Sequence, residues 1–210
     1  MRGACIAAGP KGPAYMAVFV VVLLAVRVAG GQGDVRSSLI DAPALLRDLK
    51  TLSADDMEGR QIGTPGGAKA RAYVIEQFKA SGIQPFGDSY EQPFTYMGGR
   101  RGAAQTEQQG VNVIGRIDGT RTPRRYIVIS GHYDHVGTRN GTVFNGADDN
   151  ASGAAALFAL AKYFSAHKPA NSLIFASFDG EEAGLRGSRA FVAAPPVDLA
   201  SIVINLNMDM

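Results

Sequence analysis

The hydrophobic pattern of this chain changes near residue 111. Before that point it predicts a short amphipathic helix over Pro43 to Leu52 and a second helix over about Ala68 to Ala80, joined by a glycine-rich loop. Residues 87–110 are polar and glycine-rich, which is typical of a loop or a weak strand. From Val111 onward, short apolar runs alternate with helical segments. The predicted strands are 111–117, 126–130, 173–178 and 202–206, and the predicted helices are 153–164 and 185–193.

This alternation indicates the fold class. Continuous apolar strands separated by helices are typical of a sheet that is buried on both faces, as in α/β proteins. We therefore predict an α/β fold in which helices cover a central sheet.

Polar patches stand where three of these strands end. His132 and Asp134 follow the strand 126–130, Glu181 and Glu182 follow the strand 173–178, and Asp209 ends the last strand. In open α/β sheets, ligands bind beyond the carboxyl ends of the strands. The three patches are therefore expected to meet in one site.

The first two patches suggest metal chemistry, although each has an ordinary alternative. A histidine that binds metal needs a partner on its other ring nitrogen, and Asp134, two residues beyond His132 in extended backbone, projects to the same side. A solvated turn is the alternative. A further carboxylate, Asp149, stands shortly before the predicted helix at Gly153 and could bridge two cations. As an alternative, Asp148, Asp149 and Asn150 form an N-cap cluster.

The other two patches are also ambiguous when taken singly. Side chains of adjacent residues in extended backbone point to opposite sides, so one of Glu181 and Glu182 could ligate a metal while the other faces the water that the metal activates. Two solvated charges on a loop are the alternative. Asp209 lies at the tip of a predicted buried strand and needs a charge partner, which a metal or a loop donor would supply.

Composition and charge narrow the classes of partner. The 210 residues are 46% hydrophobic and 19% charged, which is ordinary for a globular protein. The formal net charge of +2 arises in the first 30 residues, which carry three basic residues and no acid, and the remainder holds 18 basic against 19 acidic residues. No basic block or basic-aromatic pattern remains, so nucleic acid is not an expected partner.

The amino terminus has the pattern of an export signal. Arg2 and Lys11 precede an apolar stretch over Ala14 to Val26, and small residues follow. The stretch is shorter than the roughly 20 residues that span a bilayer. We predict a signal peptide over residues 1–30 and a periplasmic or secreted protein, with an uncleaved membrane anchor as the alternative. The only cysteine, Cys5, would leave with the signal, so histidines and carboxylates must hold any metal.

Taken together, the motifs resemble those of the co-catalytic zinc aminopeptidases, a group that includes bacterial leucyl aminopeptidase, aminopeptidase Y and glutamate carboxypeptidase II. The matching segments are Met57–Arg60, Asn112–Gly115, Gly131–His135, Gly146–Gly153 and Gly180–Ser188. The resemblance implies a three-layer sandwich with a mixed, mostly parallel sheet flanked by helices. Residues 31–110 would lead into the catalytic domain, and residues 111–210 would form its amino-terminal part.

The resemblance also implies a peptide or protein substrate as the partner, and a role for each site residue. His132 and Asp209 would ligate one zinc ion, Glu182 would ligate a second, and Asp149 would bridge the two. Asp134 would orient His132. Glu181 would be the general base, taking a proton from the metal-bridging water and passing it to the leaving amine. The resemblance further implies a cis peptide bond at Asp149–Asn150.

The chain departs from this group in one respect. In the group, the second zinc takes a further histidine from a loop beyond the position of Asp209, and this sequence ends at Met210. His135 follows Asp134 too closely to be expected in its place, and His167 is predicted at the far end of a helix. We therefore expect a fragment of a longer enzyme, with an incomplete sheet and an exposed strand edge.

Three functions remain open from the sequence. The leading prediction is an exported zinc aminopeptidase. A glutaminyl-cyclase-like enzyme that uses one zinc for intramolecular acyl transfer is the second. The third is an inactive scaffold, although none of the residues expected in this part of the site is substituted.

Overall fold

The computed structural model describes residues 39–99 and 104–209, and the predicted signal peptide lies outside them. Within these ranges the strands and helices follow the order expected from the sequence. The helices are α1 (Ala42–Leu52), α2 (Pro65–Ala80), α3 (Gly153–Ala166) and α4 (Arg186–Ala193). The strands are β1 (Gln84–Pro85), β2 (Glu91–Gly98), β3 (Thr106–Ile117), β4 (Thr122–His132), β5 (Thr138–Arg139), β6 (Thr142–Val143), β7 (Asn171–Phe178) and β8 (Ile202–Asn207).

Six of the strands form one mixed sheet in the order β1-β3-β7-β4-β8, with β2 also paired to β3. The strands β1, β2 and β7 each run antiparallel to β3, whereas β7, β4 and β8 run parallel to one another. The short strands β5 and β6 form a separate hairpin. The predicted mixed sheet is confirmed, and its parallel part carries the strands that end in polar patches.

Helices cover the two faces of the sheet, as alternate residues of β7 show. Leu173 and Phe175 pack into a core shared with α2 and α3, where Phe78 stacks edge-on against Phe175. Ile174 and its neighbours on the opposite face pack against Phe191 of α4. Because successive side chains in a strand point to opposite faces, each apolar run can supply two cores. The predicted three-layer arrangement is confirmed.

The segment between α1 and α2 is more regular than its glycine content indicates. Residues Asp55–Arg60 form 3-10 turns, and α2 begins at Pro65, three residues before the predicted start. Proline at the first helical position has no N–H to leave unpaired, and the Thr64 hydroxyl accepts a hydrogen bond from the Gly67 N–H at 3.2 Å. Glycine at position 66 lets the helix approach the Met57 carbonyl, where a Cβ atom would clash.

The last strand differs from the prediction. We expected 202–206 to be a buried strand, but Val203 is 50% exposed and Ile204 is 49% exposed. These neighbours lie on opposite faces of β8, so neither face is covered as in a buried strand. Within the described residues β8 pairs with β4 alone, which leaves it at the edge of the sheet. The apolar run therefore predicted the strand but not its burial.

The described ranges contain no helix with the length and hydrophobicity needed to cross a membrane.

Candidate metal centre

The parallel strands bring the polar patches to one edge of the sheet. His132 pairs with Phe178 across β4 and β7, and Ser130 pairs with Asn207 across β4 and β8. The three carboxyl ends therefore stand level, and the residues that follow them lie side by side. The predicted convergence of the patches is present in the structure.

One group of possible ligands surrounds the ring of His132. Its Nε2 atom lies 3.1 Å from Asp149 Oδ1 and 3.2 Å from Asp209 Oδ1. The His132 side chain is only 3% exposed, whereas both carboxylates are partly open to solvent. One nitrogen and two carboxylate oxygens thus face each other at the rim of the sheet.

The other ring nitrogen of His132 faces Asp134, which is fully buried. His132 Nδ1 lies 3.1 Å from the backbone oxygen of Asp134 and 3.4 Å from its Oδ1 atom. The same carboxylate accepts hydrogen bonds from the backbone N–H groups of Glu181 at 3.0 Å and Glu182 at 3.3 Å. Asp134 therefore contacts the histidine as predicted, and it also ties down the two glutamates, which the sequence did not reveal.

A second group of possible ligands contains a residue that sequence analysis had set aside. His135 Nδ1 lies 2.7 Å from Glu182 Oε1, and ligand atoms of His135, Asp149 and Glu182 all lie within 4.8 Å of one another. From the sequence, His135 was not expected to take the place of the family's second-zinc histidine, and the structure brings its side chain beside Glu182. Successive residues of an extended segment point to opposite sides, so His135 points away from the side shared by His132 and Asp134.

The two adjacent glutamates separate as predicted. Glu182 lies beside His135, whereas Glu181 lines a cavity of about 200 Å³ together with His132 and Asp209. Burial raises the pKa of the Glu181 carboxyl, and the neighbouring His132 charge acts in the opposite direction. The proposed base thus faces the same space as the first ligand group.

The turn that carries Asp149 is anchored through the next residue. The peptide bond Asp149–Asn150 is cis, as the resemblance implied. The Asn150 side chain is fully buried, donates a hydrogen bond to the Met208 carbonyl at 2.8 Å and accepts one from the Gly153 N–H at 3.0 Å. In the sequence-based alternative, Asp148, Asp149 and Asn150 formed an N-cap cluster for this helix. In the structure Asn150 supplies the hydrogen bond to the first turn of α3, and it links this turn to the end of β8.

Arg60 is the main residue of the site region whose role the sequence did not reveal. It is fully buried, and its guanidinium donates hydrogen bonds to four backbone carbonyls. The acceptors are Tyr133 at 2.8 Å, Leu52 at 2.5 Å, Asn145 at 2.6 Å and Gly146 at 2.7 Å. Arg60 therefore joins the segment after α1 to both stretches that carry His132 and Asp149. Its motif Met57–Arg60 was recognised, but the motif alone did not say what the arginine contacts.

The charges of the site act on one another. Burial alone lowers the pKa of His132, but Asp134, by its hydrogen bond and its charge, raises it together with Asp209 and Glu181 to about 9. Burial lowers the pKa of Arg60 to about 10, opposed by the charges of Asp134, Asp149 and Glu182. Such an excess of carboxylates around buried nitrogen atoms creates a strong demand for positive charge.

The donor set fits zinc. Neutral imidazole nitrogens and carboxylate oxygens are zinc ligands, and the two groups share Asp149, which a bridging carboxylate requires. A buried histidine whose second nitrogen contacts a carboxylate is also the usual arrangement of a zinc ligand. The residues present can therefore hold the metal that the resemblance implies.

Comparison with known proteins agrees with this reading. Residues 112–210 match peptidase family M28. A probable zinc metalloprotease of Pyricularia oryzae is 42% identical over 88 residues, which cover 39% of this chain and 17% of that relative. A vacuolar membrane protease of Schizophyllum commune is 33% identical over 98 residues, covering 47% of this chain and 10% of the relative. The chain thus spans a small part of the length of these relatives.

Solved structures show the same fold at low sequence identity. A zinc aminopeptidase from Bacillus subtilis has a TM-score of 0.66 at 15% identity, covering 83% of this chain and 70% of that structure. A glutaminyl cyclase from Bacteroides thetaiotaomicron has a TM-score of 0.63 at 20% identity, covering 81% of this chain and 62% of that structure. The resemblance noted from the sequence is confirmed: residues 112–210 match peptidase family M28, and probable zinc metalloproteases are among the similar proteins.

Proposed function

We propose that this chain is the catalytic part of an exported aminopeptidase that uses two zinc ions to hydrolyse amino-terminal peptide bonds. The observation that carries the proposal is the pair of ligand groups that share Asp149, with Glu181 lining the same cavity as His132 and Asp209. The export signal that the sequence predicts over residues 1–30 supports the location.

Each residue has a distinct part in the proposed reaction. His132, Asp149 and Asp209 would hold one ion, and Asp149 and Glu182 would contribute to holding the other. The chemistry supplied by zinc, when bound, would be a lowered pKa of water and polarisation of the scissile carbonyl. Glu181 accepts a proton from the attacking water on its free carboxylate and delivers it to the leaving amine. Asp134 fixes the ring of His132 and the backbone of both glutamates, so that the base and the ligand keep their relative positions.

The raised pKa of Glu181 supports its role as the base. A general base works best when its pKa approaches the working pH, and burial moves the pKa of this carboxyl in that direction. Its neighbour Asp134 holds the Glu181 backbone N–H at 3.0 Å, which restricts where the carboxylate can reach.

A glutaminyl-cyclase-like reaction is the second candidate, because a glutaminyl cyclase shares this fold. The two enzymes differ in the number of zinc ions and in the fate of an amino-terminal glutamine. An aminopeptidase releases the residue, whereas a cyclase closes it into a ring and leaves the peptide intact. The presence of two ligand groups favours the aminopeptidase.

The test combines zinc stoichiometry with three substrates. We would purify the chain, measure zinc by elemental analysis after gel filtration, and assay a free aminoacyl nitroanilide, its N-acetylated form and a glutaminyl peptide. Two zinc ions and release of product from the unblocked substrate alone support the proposal. A single ion with cyclised glutaminyl peptide would establish the second candidate, and a chain without zinc or turnover would be an inactive relative.

The variant Glu181→Gln is the matched control for the mechanism. It has the size of the parent side chain but no basic oxygen, so zinc content should stay unchanged while nearly all turnover is lost. If the variant retained turnover, the assignment of Glu181 as the general base would be refuted.

A further inference from the structure

The loop that carries the two glutamates begins where the pairing of β7 with β3 stops. The antiparallel register of these strands ends at the pair Val113 and Ser177. Residues 179–187, which we call the glutamate loop, follow β7 and contain Glu181 and Glu182. A segment outside the ladder opens more easily than the sheet unless other contacts hold it. The contacts at the two ends of this loop therefore decide how firmly the glutamates are placed.

Side chains continue the connection to β3 at the first end of the glutamate loop. Asn112 Oδ1 accepts a hydrogen bond from the Asp179 N–H at 3.1 Å. In return, Asp179 Oδ2 accepts one from the Val111 N–H at 3.0 Å. Because one partner in each bond is a side chain, the loop stays attached to β3 after the ladder between the two backbones has ended.

Asn112 also reaches the other end of the glutamate loop. Its Nδ2 atom donates to the Gly187 carbonyl at 2.9 Å and to Gln92 Oε1 at 2.9 Å. Asn112 is fully buried, and these bonds use its oxygen and both of its N–H groups, so the amide has one orientation. A Cβ atom at position 187 would clash with Asn112 Oδ1, so glycine permits the close approach. One side chain thus joins the two ends of the loop.

We propose that Asn112 is a positioning residue, which sets the places of the Glu181 and Glu182 carboxylates by closing the glutamate loop. Asp134 holds the backbone of both glutamates from the side of β4, and Asn112 holds the ends of their loop from the side of β3. The inference rests on the proposed function only in what the two glutamates do. The bonds of Asn112 described above are all made to the chain itself.

The alternative is that Asn112 only stabilises the fold, as a buried amide whose hydrogen bonds are satisfied. Its loss would then make the whole sheet open more often and would leave the glutamates in place in the folded molecules. Loss of a positioning residue instead opens the loop while the sheet stays closed. Amide hydrogen exchange separates these two kinds of opening.

The experiment compares the parent with Asn112→Ala, and with Ser172→Ala as a matched control. Ser172 is also fully buried, accepts a hydrogen bond from the Gly119 N–H at 2.9 Å and donates one to the Pro123 carbonyl at 2.7 Å. It is the second residue of β7, at the end of the strand far from the glutamate loop. Its loss therefore removes comparable buried bonds without touching the loop.

Two properties would be measured in the full chain. The first is amide hydrogen exchange by NMR, with the N–H groups of Glu181 and Glu182 as loop reporters. The N–H of Val128 is the sheet reporter, because β4 is paired on both sides at this residue. The second is kcat and KM of the zinc-loaded enzyme on the aminoacyl nitroanilide.

In Asn112→Ala we expect the ratio of loop to sheet exchange rates to rise by about 10-fold or more, since one lost buried hydrogen bond shifts an equilibrium by about that factor. We also expect kcat to fall by about 10- to 100-fold with KM unchanged, because a misplaced base slows the chemical step and leaves substrate binding intact. Ser172→Ala should change neither the ratio nor kcat. If Asn112→Ala does not fold, Asn112→Ser provides the same comparison, because a hydroxyl is too short to join both ends of the loop.

Equal acceleration of loop and sheet exchange in Asn112→Ala would overturn the inference, and so would a faster loop with unchanged kcat. Failure of the proposed function has a different signature. A parent without turnover refutes the aminopeptidase, and the exchange ratio then decides by itself whether Asn112 holds the glutamates in place.

Discussion

Replacing Arg60 by lysine tests whether the buried guanidinium holds the site together. The arginine uses three nitrogen atoms to donate to four backbone carbonyls, which belong to three separate stretches of chain. Lysine preserves the positive charge and most of the aliphatic length, but its donors radiate from one nitrogen. The substitution therefore changes the geometry of donation and keeps the charge.

The expected loss in the free energy of unfolding follows from the number of carbonyls that lose a donor. An ammonium group has three N–H donors, so at least one of the four carbonyls must lose its hydrogen bond from residue 60; the Gly146 carbonyl keeps a further donor, the Ala151 N–H at 3.1 Å, so the cost falls on the others. A buried acceptor without a partner costs about 1–3 kcal/mol, and the loss of two would cost about 2–6 kcal/mol. Since domains are stable by only about 5–15 kcal/mol, Arg60→Lys should lower the free energy of unfolding by a large fraction of its total.

The assay is urea denaturation of the metal-free protein, with Arg47→Lys as the control. Arg47 lies on the exposed face of α1, so the same chemical change there should alter the free energy of unfolding by less than about 0.5 kcal/mol. A loss at Arg60 of less than about 1 kcal/mol would refute the reasoning, because it would mean that water or a shift of backbone replaces the missing donors.

Three further substitutions test the site. Asp149→Ala should remove zinc from both positions, since Asp149 belongs to both ligand groups; one ion retained at full affinity in elemental analysis would show that it does not bridge. Asp134→Asn should weaken zinc binding by about 10- to 100-fold in chelator competition, because a neutral amide replaces the carboxylate that contacts His132. The amide keeps one oxygen for the N–H groups of Glu181 and Glu182, so the loss should not be larger. Unchanged affinity would contradict the role of Asp134. Burial raises the pKa of Asp179 to about 7, so the parent loses stability as the pH rises from about 4 to about 7. Asp179→Asn removes this loss and should stabilise the metal-free protein by up to about 3 kcal/mol more at about pH 8 than at about pH 4.5. Urea denaturation in a chelator measures this difference, and a gain independent of pH would contradict the assignment.

The order of strands and helices was readable from the sequence. The alternation of apolar runs with helical segments gave the α/β class, because a strand buried on both faces must be apolar at consecutive positions. The start of α2 was missed because glycine and proline usually mark loops. Here Pro65 is the first residue of the helix, Thr64 caps it, and Gly66 allows close packing.

The burial predicted for β8 was wrong. Its apolar residues have the pattern of a central strand, but burial depends on what covers a strand. In the described structure Val203 and Ile204 remain half exposed at the edge of the sheet.

The site was predicted at the level of residue types and their placement at strand ends. His132, Glu181, Glu182 and Asp209 could be expected together because parallel strands end at one edge of a sheet. That inference needs only the local pattern and the topology it indicates.

What only the tertiary structure decided are the contacts between distant segments. Arg60 donates to carbonyls 73 and 86 residues away, at Tyr133 and Gly146. Asp134 reaches the backbone of Glu181, and His135 reaches Glu182 across the same gap between β4 and β7. A linear pattern reports the preference of each segment for burial and backbone shape, whereas such pairings depend on how the segments pack and on which direction a side chain takes after its strand ends. The sequence determined that a metal site stands at this edge of the sheet, and the packing determined which side chains face one another there.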